Sequence, residues 1–326
     1  MLHLVTMALG AASIGGLSFT ANPVQAQQFP EKPVRLVVPQ AAGSASDNIA
    51  RMLAIDLSRA LGQPVIVDNR PGGSFVIGMD FVAKAPPDGY TIGLGVVGAV
   101  AISPNMLSSA PYDILRDFQP IGLIGTNHLL LAVAPNSPFK TVAELVEFAK
   151  KNPGRLMNAS SSNGSPGHVS AEIFKQMTGT QIVHVPYKGG AAAINDLVAG
   201  HVHLMFESMN SIAPHAKSGK VRALAVSGPK RSPVLPDTPT VAEAGVAGYN
   251  VMSWSGVVGP ANLPRPVLAR LNSALNTAIT SPTFRERYAL IGEEPIAGTP
   301  EQFGAFIRSE LAKWGDAIRR AGAKLD

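Results

Sequence analysis

Short, largely apolar runs alternate with stretches of helical period along most of the chain. Residues 34–38 (VRLVV) read as a strand buried on both faces. The loop PQAAGSAS follows, and a helix capped by Asp47 runs to about Leu61, with Ile49, Leu53, Leu57 and Ala60 at helical spacing and Gly62 as its stop. Residues 64–67 predict a strand, 75–84 a helix and 90–97 another strand. This βαβαβ order means a parallel sheet with right-handed crossovers.

A second α/β unit follows the same alternation. Strands are expected over 118–125, 129–134, 157–159, 183–185, 202–206 and 222–227. Helices fall between them over 141–151, 166–177 and 190–198, with a short one around 214–217; Thr141 and Glu144 make a capping box for the first. The proline-rich stretch 231–240 is a rigid connection, 251–258 is extended, and 264–280, 282–290 and 299–321 are helices. The C-terminal part has too little strand for its own sheet and should pack back on the first unit. The expectation is an α/β protein of two lobes. Lobe 1 is discontinuous (27–127 with 247–326), lobe 2 spans 128–246, the chain crosses twice, and a ligand cleft lies between them.

The first 26 residues break this pattern. They hold no Asp, Glu, Lys or Arg, have an apolar middle, and end in Val24-Gln25-Ala26, a cleavage site of the A-x-A type. Gly15, Gly16, Asn22 and Pro23 interrupt the roughly 20 apolar residues a membrane span requires. The usual positive start is missing, with only His3 in its place. The expectation is an export signal cleaved near Ala26, giving a periplasmic protein that begins near Gln27.

Composition narrows the chemistry. Apolar residues make up 46%, enough for a proper core. Cysteine is absent, which excludes disulfides and thiolate metal sites. The net charge of +5 is scattered, with no basic run and few aromatics, unlike a nucleic-acid surface. His201 and His203 share a strand face without a third ligand, so no metal site and no cofactor are expected.

Three motifs remain. Gly93, Gly95 and Gly98 spell G-x-G-x-x-G, but inside an apolar run and ahead of Pro104, where a dinucleotide fold would need a helix. Close packing explains them better. Asn163-Gly164-Ser165-Pro166-Gly167 approaches a nucleophile elbow, with His168 close by; Asn163 replaces its first glycine, and the last histidine is His215, ahead of Asp237. The same run, NASSSNGSPGHVS, serves equally as an anion cradle of backbone N–H groups and serine hydroxyls at a helix start. The loop PQAAGSASD has that construction in the first unit. Two such loops would face each other across the cleft and hold a carboxylate.

An ordered series of motifs carries a resemblance. EKPVRLVVPQAAGSASDNIARMLA, GQPVIVDNRPGG, APPDGYTIGLG, PYDILRDFQPIGLI, NASSSNGSPGH, VPYKGG and LMFESMNSIAPHAKSGKVRALAVSGPKRSPVLPDTPTVAEAG resemble the extracytoplasmic solute-binding proteins of tripartite tricarboxylate transporters, the Bug proteins. The resemblance runs from about residue 28 to the C-terminus. It implies a two-lobed periplasmic-binding-protein fold of type II-like architecture, a ligand trapped on closure, and delivery to a permease of two integral membrane subunits. Carried over, the first binding loop falls on Ala41, Ala42, Gly43, Ser44 and Asp47, beside Gln40. The second falls on Ser160, Ser161, Gly164, Ser165 and His168. Lys188-Gly189 and Glu207-Ser208 also border the cleft in such proteins. Gln40 stands where Phe is common, Ser44 where Gly is common and Asn158 where an aromatic is frequent, which makes the wall more polar and favours a ligand with a second polar end. The expected protein is a monomeric carboxylate receptor without catalysis. A ligand-presenting sensor component and a serine hydrolase using Ser165 stay open as alternatives.

Overall fold

A computed structural model of the chain describes residues 29–107 and 109–321. The expected export signal lies outside the described residues.

The first unit forms as its pattern predicts. β1 (Val34–Val38), α1 (Ala45–Leu61), β2 (Val65–Asn69), α2 (Val76–Ala83) and β3 (Thr91–Val96) make the βαβαβ unit, with β1 between β2 and β3 and parallel to both. A five-residue π turn (Gly98–Ile102) and α3 (Ser103–Met106) follow β3. The chain continues through β4 (Phe118–Val133), α4 (Val142–Lys151), β5 (Met157–Ser160), α5 (Pro166–Thr178), β6 (Val183–Pro186), α6 (Gly190–Ala199), β7 (Leu204–Ser208), α7 (Met209–Lys217) and β8 (Arg222–Val226). β9 (Met252–Pro260), α8 (Arg265–Thr280), α9 (Pro282–Leu290), β10 (Glu293–Pro295) and α10 (Pro300–Ala321) complete it.

The strands run in the order β2-β1-β3-β9-β4-β7-β5-β6, with β8 and β10 also on β4. β4 therefore belongs to two sheets. Its first part pairs with β9 as far as His128↔Met252, and its second pairs with β7 and β8 from Leu129 or Leu130 onward. The sequence reading divided this strand at 125 and 129. The polar Thr126-Asn127-His128 reads as a break, but those residues stay in the ladder opposite Trp254, Ser253 and Met252, and Asn127 also pairs with Glu293 of β10.

This is the two-lobed fold of a periplasmic binding protein. β4 is one crossing between lobes, and the stretch from β8 to β9 is the other. Ser227 ties the two crossings together. Its N–H donates to Leu129 O, its Oγ accepts from Leu129 N, and that hydroxyl donates to Val251 O. The apolar core gathers the buried faces of β1, β3, β4 and β9 with α1, α8, α9 and α10, including Trp254, Trp314, Phe284 and Phe303. The C-terminal helices pack back on the first sheet, and α10 also touches α5 of the second lobe.

Candidate functional site

The loop after β1 is fixed by a small polar network. Ser44 has extended backbone (φ −72°, ψ 165°) and its Oγ accepts the Asp47 N–H at 3.2 Å, so Ser44 caps α1. The expectation that Asp47 is the cap is corrected: Asp47 sits three residues on, where a capping box places its acidic partner. Its Oδ2 accepts from Gly43 N at 2.8 Å and Arg51 Nε at 2.9 Å, and its Oδ1 from Asn69 Nδ2 at 3.0 Å. Asn69, at the end of β2, also donates to Gln40 O at 3.1 Å. Burial acts to raise the Asp47 carboxyl, but the hydrogen bonds from Arg51, Gly43 and Asn69 outweigh it and leave it below the usual range.

The loop after β5 is built in the same way. Ser165 is fully buried, and its Oγ accepts from His168 N at 3.3 Å as the cap of α5. Gly164 N donates to His168 Nδ1 at 3.2 Å, so the neutral ring carries its proton on Nε2. Ser160 Oγ donates to Ser162 O at 3.0 Å and lies 2.7 Å from His184 Nε2, which must then be the donor. The two imidazoles stack with centroids 3.8 Å apart. Burial depresses both, with the neighbouring cations adding to it, to about 3 for His168 and about 4 for His184. Gly167 lies against the Phe206 carbonyl oxygen so closely that no Cβ would fit.

The two loops meet at one cavity between the lobes. Gln40, Ser44, Ala45 and Ser46 wall it from α1, and Ser161, Pro166 and Gly167 face them from α5. Gly190 brings in the start of α6, and Ser208, the cap residue of α7, brings in a fourth helix start. Each start presents the positive end of a helix dipole. Among the described residues, the N–H groups of Ala45, Ser46 and Gly167 have no protein acceptor.

Of the sequence-predicted residues, the structure brings Gln40, Ser44, Ser161, Glu207 and Ser208 into the wall. Gly43, Asp47, Ser160, Gly164, Ser165 and His168 stand outside it and hold the two loops in shape. Ala41 and Ala42 lie on the outer turn of the first loop, Lys188 is exposed, and Gly189 leads into α6. Asn158 is a buried residue of β5, within the sheet and outside the wall, so the polarity it was expected to lend the pocket is absent there.

Sequence reasoning missed the walls supplied by strands and by one turn. Asn127, Leu129, Ser253, Trp254 and Ser255 come from β4 and β9, where the lobes join. Phe75 comes from the turn PGGSF, where Ser74 and Phe75 take left-handed backbone (φ 52° and 79°), strain that a bulky residue adopts only when its surroundings hold it. The Pro71-Gly72-Gly73 turn was the available signal.

Glu207 is the one titratable side chain in the wall. Its Oε1 accepts from Ser208 N at 2.9 Å. Burial pushes it up to about 7, with the Ser208 N–H acting the other way. Behind the wall, Asn127 Nδ2 donates to Glu293 Oε1 at 2.8 Å, and burial raises Glu293 to about 7 as well.

Ser165 and His168 are not set as a nucleophile and its base. Ser165 Oγ faces a backbone N–H, and the His168 nitrogen that would serve as base is occupied by Gly164 N. The G-x-G-x-x-G glycines serve packing: a Cβ on Gly93 would press on Val82, one on Gly95 on Val258, and one on Gly98 on the Phe75 ring at 2.7 Å.

Comparison with known proteins follows the same lines. The tripartite tricarboxylate transporter family receptor profile matches residues 49–323. BugT of Bordetella pertussis is 36% identical over 306 residues, covering 94% of each chain. The structure of R. palustris Rpa4515 with adipate superposes with a TM-score of 0.88 at 38% identity, covering 91% of this chain and all of that one. MatC from Rhodopseudomonas palustris with bound malate gives 0.84 at 28% identity, covering 89% and 100%.

Proposed function

Since the chain belongs to the family of tripartite tricarboxylate transporter receptors, we propose that it captures a small organic carboxylate between its lobes and delivers it to a membrane permease. Members of this family are solute-binding proteins of the periplasm. The observation that carries the reading is the meeting of the α1 and α5 starts across one cavity, with unpartnered N–H groups and no cationic side chain in the wall. A carboxylate there gains charge-assisted hydrogen bonds from both lobes, each about 1.5–3 kcal/mol. Adipate and malate in the two solved relatives are of this chemical class.

The remaining parts of the reading follow from the same frame. Lobe 1 comprises 27–127 with 247–326 and lobe 2 comprises 128–246. The export signal is removed near Ala26, and the mature receptor is a monomer that meets two integral permease subunits. The test is calorimetry and thermal unfolding of unfolded-and-refolded, ligand-stripped protein with adipate and malate. Ligand at 100 times Kd stabilises by about 2.7 kcal/mol, a rise of several degrees in Tm. Absence of any response to organic acids would sink the reading.

A further inference from the structure

Glu207 stands at the end of β7, nine-tenths or more buried, with its side chain in the cavity wall. Oε1 is held by Ser208 N. Oε2 lies beside Gly190, 3.2 Å from where a Cβ on that residue would stand, and has no hydrogen-bond partner among the described residues. An acidic group in a pocket built for anions is out of place unless it is neutral or meets a cation. Two ionised carboxylates at hydrogen-bond distance repel, whereas one shared proton gives an O–H···O⁻ bond of the strongest class.

The charged groups on the surrounding elements are engaged elsewhere. On α5, His168 is tied to Gly164 and stacked on His184, and Glu172 pairs with Lys175. On α6, Asp196 is held by Tyr187 and His201. His128 of β4 packs against Gly228, and His215 and Lys217 lie in the last turn of α7, away from its start. Lys188, two residues ahead of Gly190, is exposed, and among the described residues no cation is ion-paired with Glu207, while burial already favours its neutral form.

Resting on the carboxylate reading above, we propose that Glu207 is a specificity-determining donor: in its protonated form Oε2–H binds the second carboxylate of a dicarboxylate ligand. At alkaline pH, where Glu207 is ionised in the free protein, one proton is then taken up from solvent with each ligand captured, and no bond is broken. Ser208 N keeps Oε1 occupied, so the proton resides on Oε2, the oxygen without a partner among the described residues. A monocarboxylate would leave that donor unpaired and bind more weakly.

The experiment is calorimetry with adipate and malate at pH 6.5, 7.5 and 8.5, above the titration of the ligands, in two buffers of different ionisation enthalpy. Wild-type affinity should fall up to tenfold per pH unit at the alkaline end, with close to one proton taken up per ligand. E207Q, an uncharged donor of the same shape, should bind within a few-fold of wild type at pH 6.5 and show no pH slope. E207L should lose tenfold or more while unfolding cooperatively. Binding by wild type that is flat in pH, or that tightens above pH 7.5 and collapses in E207Q, would overturn the proposal and leave the carboxylate reading standing. Failure of the wild type to bind either diacid would overturn both.

Discussion

Glu293 sits at the back of the cleft, wholly buried, with Asn127 Nδ2 donating to its Oε1 and the Tyr288 hydroxyl beside it. Burial favours its neutral form, and the hydrogen bonds from Tyr288 and Asn127 act the other way. Its pKa of about 7 lies above the ordinary 4.5, so the folded state holds more protons than the unfolded chain between those values. That stability is fully present below about pH 4.5 and is lost as pH rises through 7. Glu293→Gln keeps the acceptor for Asn127 and cannot ionise. It should raise Tm at pH 8, by up to roughly 3 kcal/mol of stability, and the gain should vanish near pH 5. A uniform effect across pH, followed by thermal unfolding, would show that charge is not the cause. At this scale the sequence was legible where a residue type carries a local rule. The serine- and glycine-rich loops, each with a strand before and a helix behind, announced two helix starts facing one cleft. Phe75, Asn127 and Trp254 obey no such rule, because the antiparallel pairing of β4 with β9 and a strained turn put them in the wall.

At the level of elements, the two binding loops are the same device made twice. Each follows a parallel strand, ends in a serine cap, and is braced from the side, by Asp47 and Asn69 in one and by His168 and His184 in the other. The brace of the first loop is an ionised carboxylate with three donors, so removing it frees Gly43 N, Asn69 Nδ2 and Arg51 at once. Asp47→Ala should cost about 2–3 kcal/mol in chemical denaturation, since hydrogen bonds to charged groups contribute about 1.5–3 each and Arg51 and Gly43 can turn to water. It should also weaken adipate binding, although Asp47 is outside the wall. A change in stability with unaltered affinity would mean that the loop keeps its shape without the brace. Most helix limits were legible from period and caps because both are local, but α7 begins at Met209, ahead of the expected 214–217, and the π turn with α3 at 98–106 was not expected. β4 was not legible, because only its partners β9 and β10 show that Thr126–His128 continues a ladder.

For the whole molecule, the two lobes meet through contacts between residues far apart in sequence. Gly98 in lobe 1 passes so near lobe 2 that a Cβ on it would lie 3.3 Å from Gly164 O. Across the cavity mouth, Asn210 Nδ2, at the start of α7, donates to Ala45 O at the start of α1 at 3.3 Å. This bond exists only when the lobes are together, and it joins two of the helices whose starts wall the cavity. It therefore belongs to the ligand-competent state and not to the stability of either lobe. Asn210→Ala removes about 0.5–1.5 kcal/mol from closure, a two- to tenfold loss of affinity for adipate. The loss should fall on dissociation, because the bond forms after the ligand has entered and must break before it leaves. Stopped-flow binding should show a faster off-rate with little change in on-rate, and the ligand-free Tm should stay within a degree or two of wild type. An unchanged off-rate would mean that Asn210 rests against Ala45 without holding the lobes together.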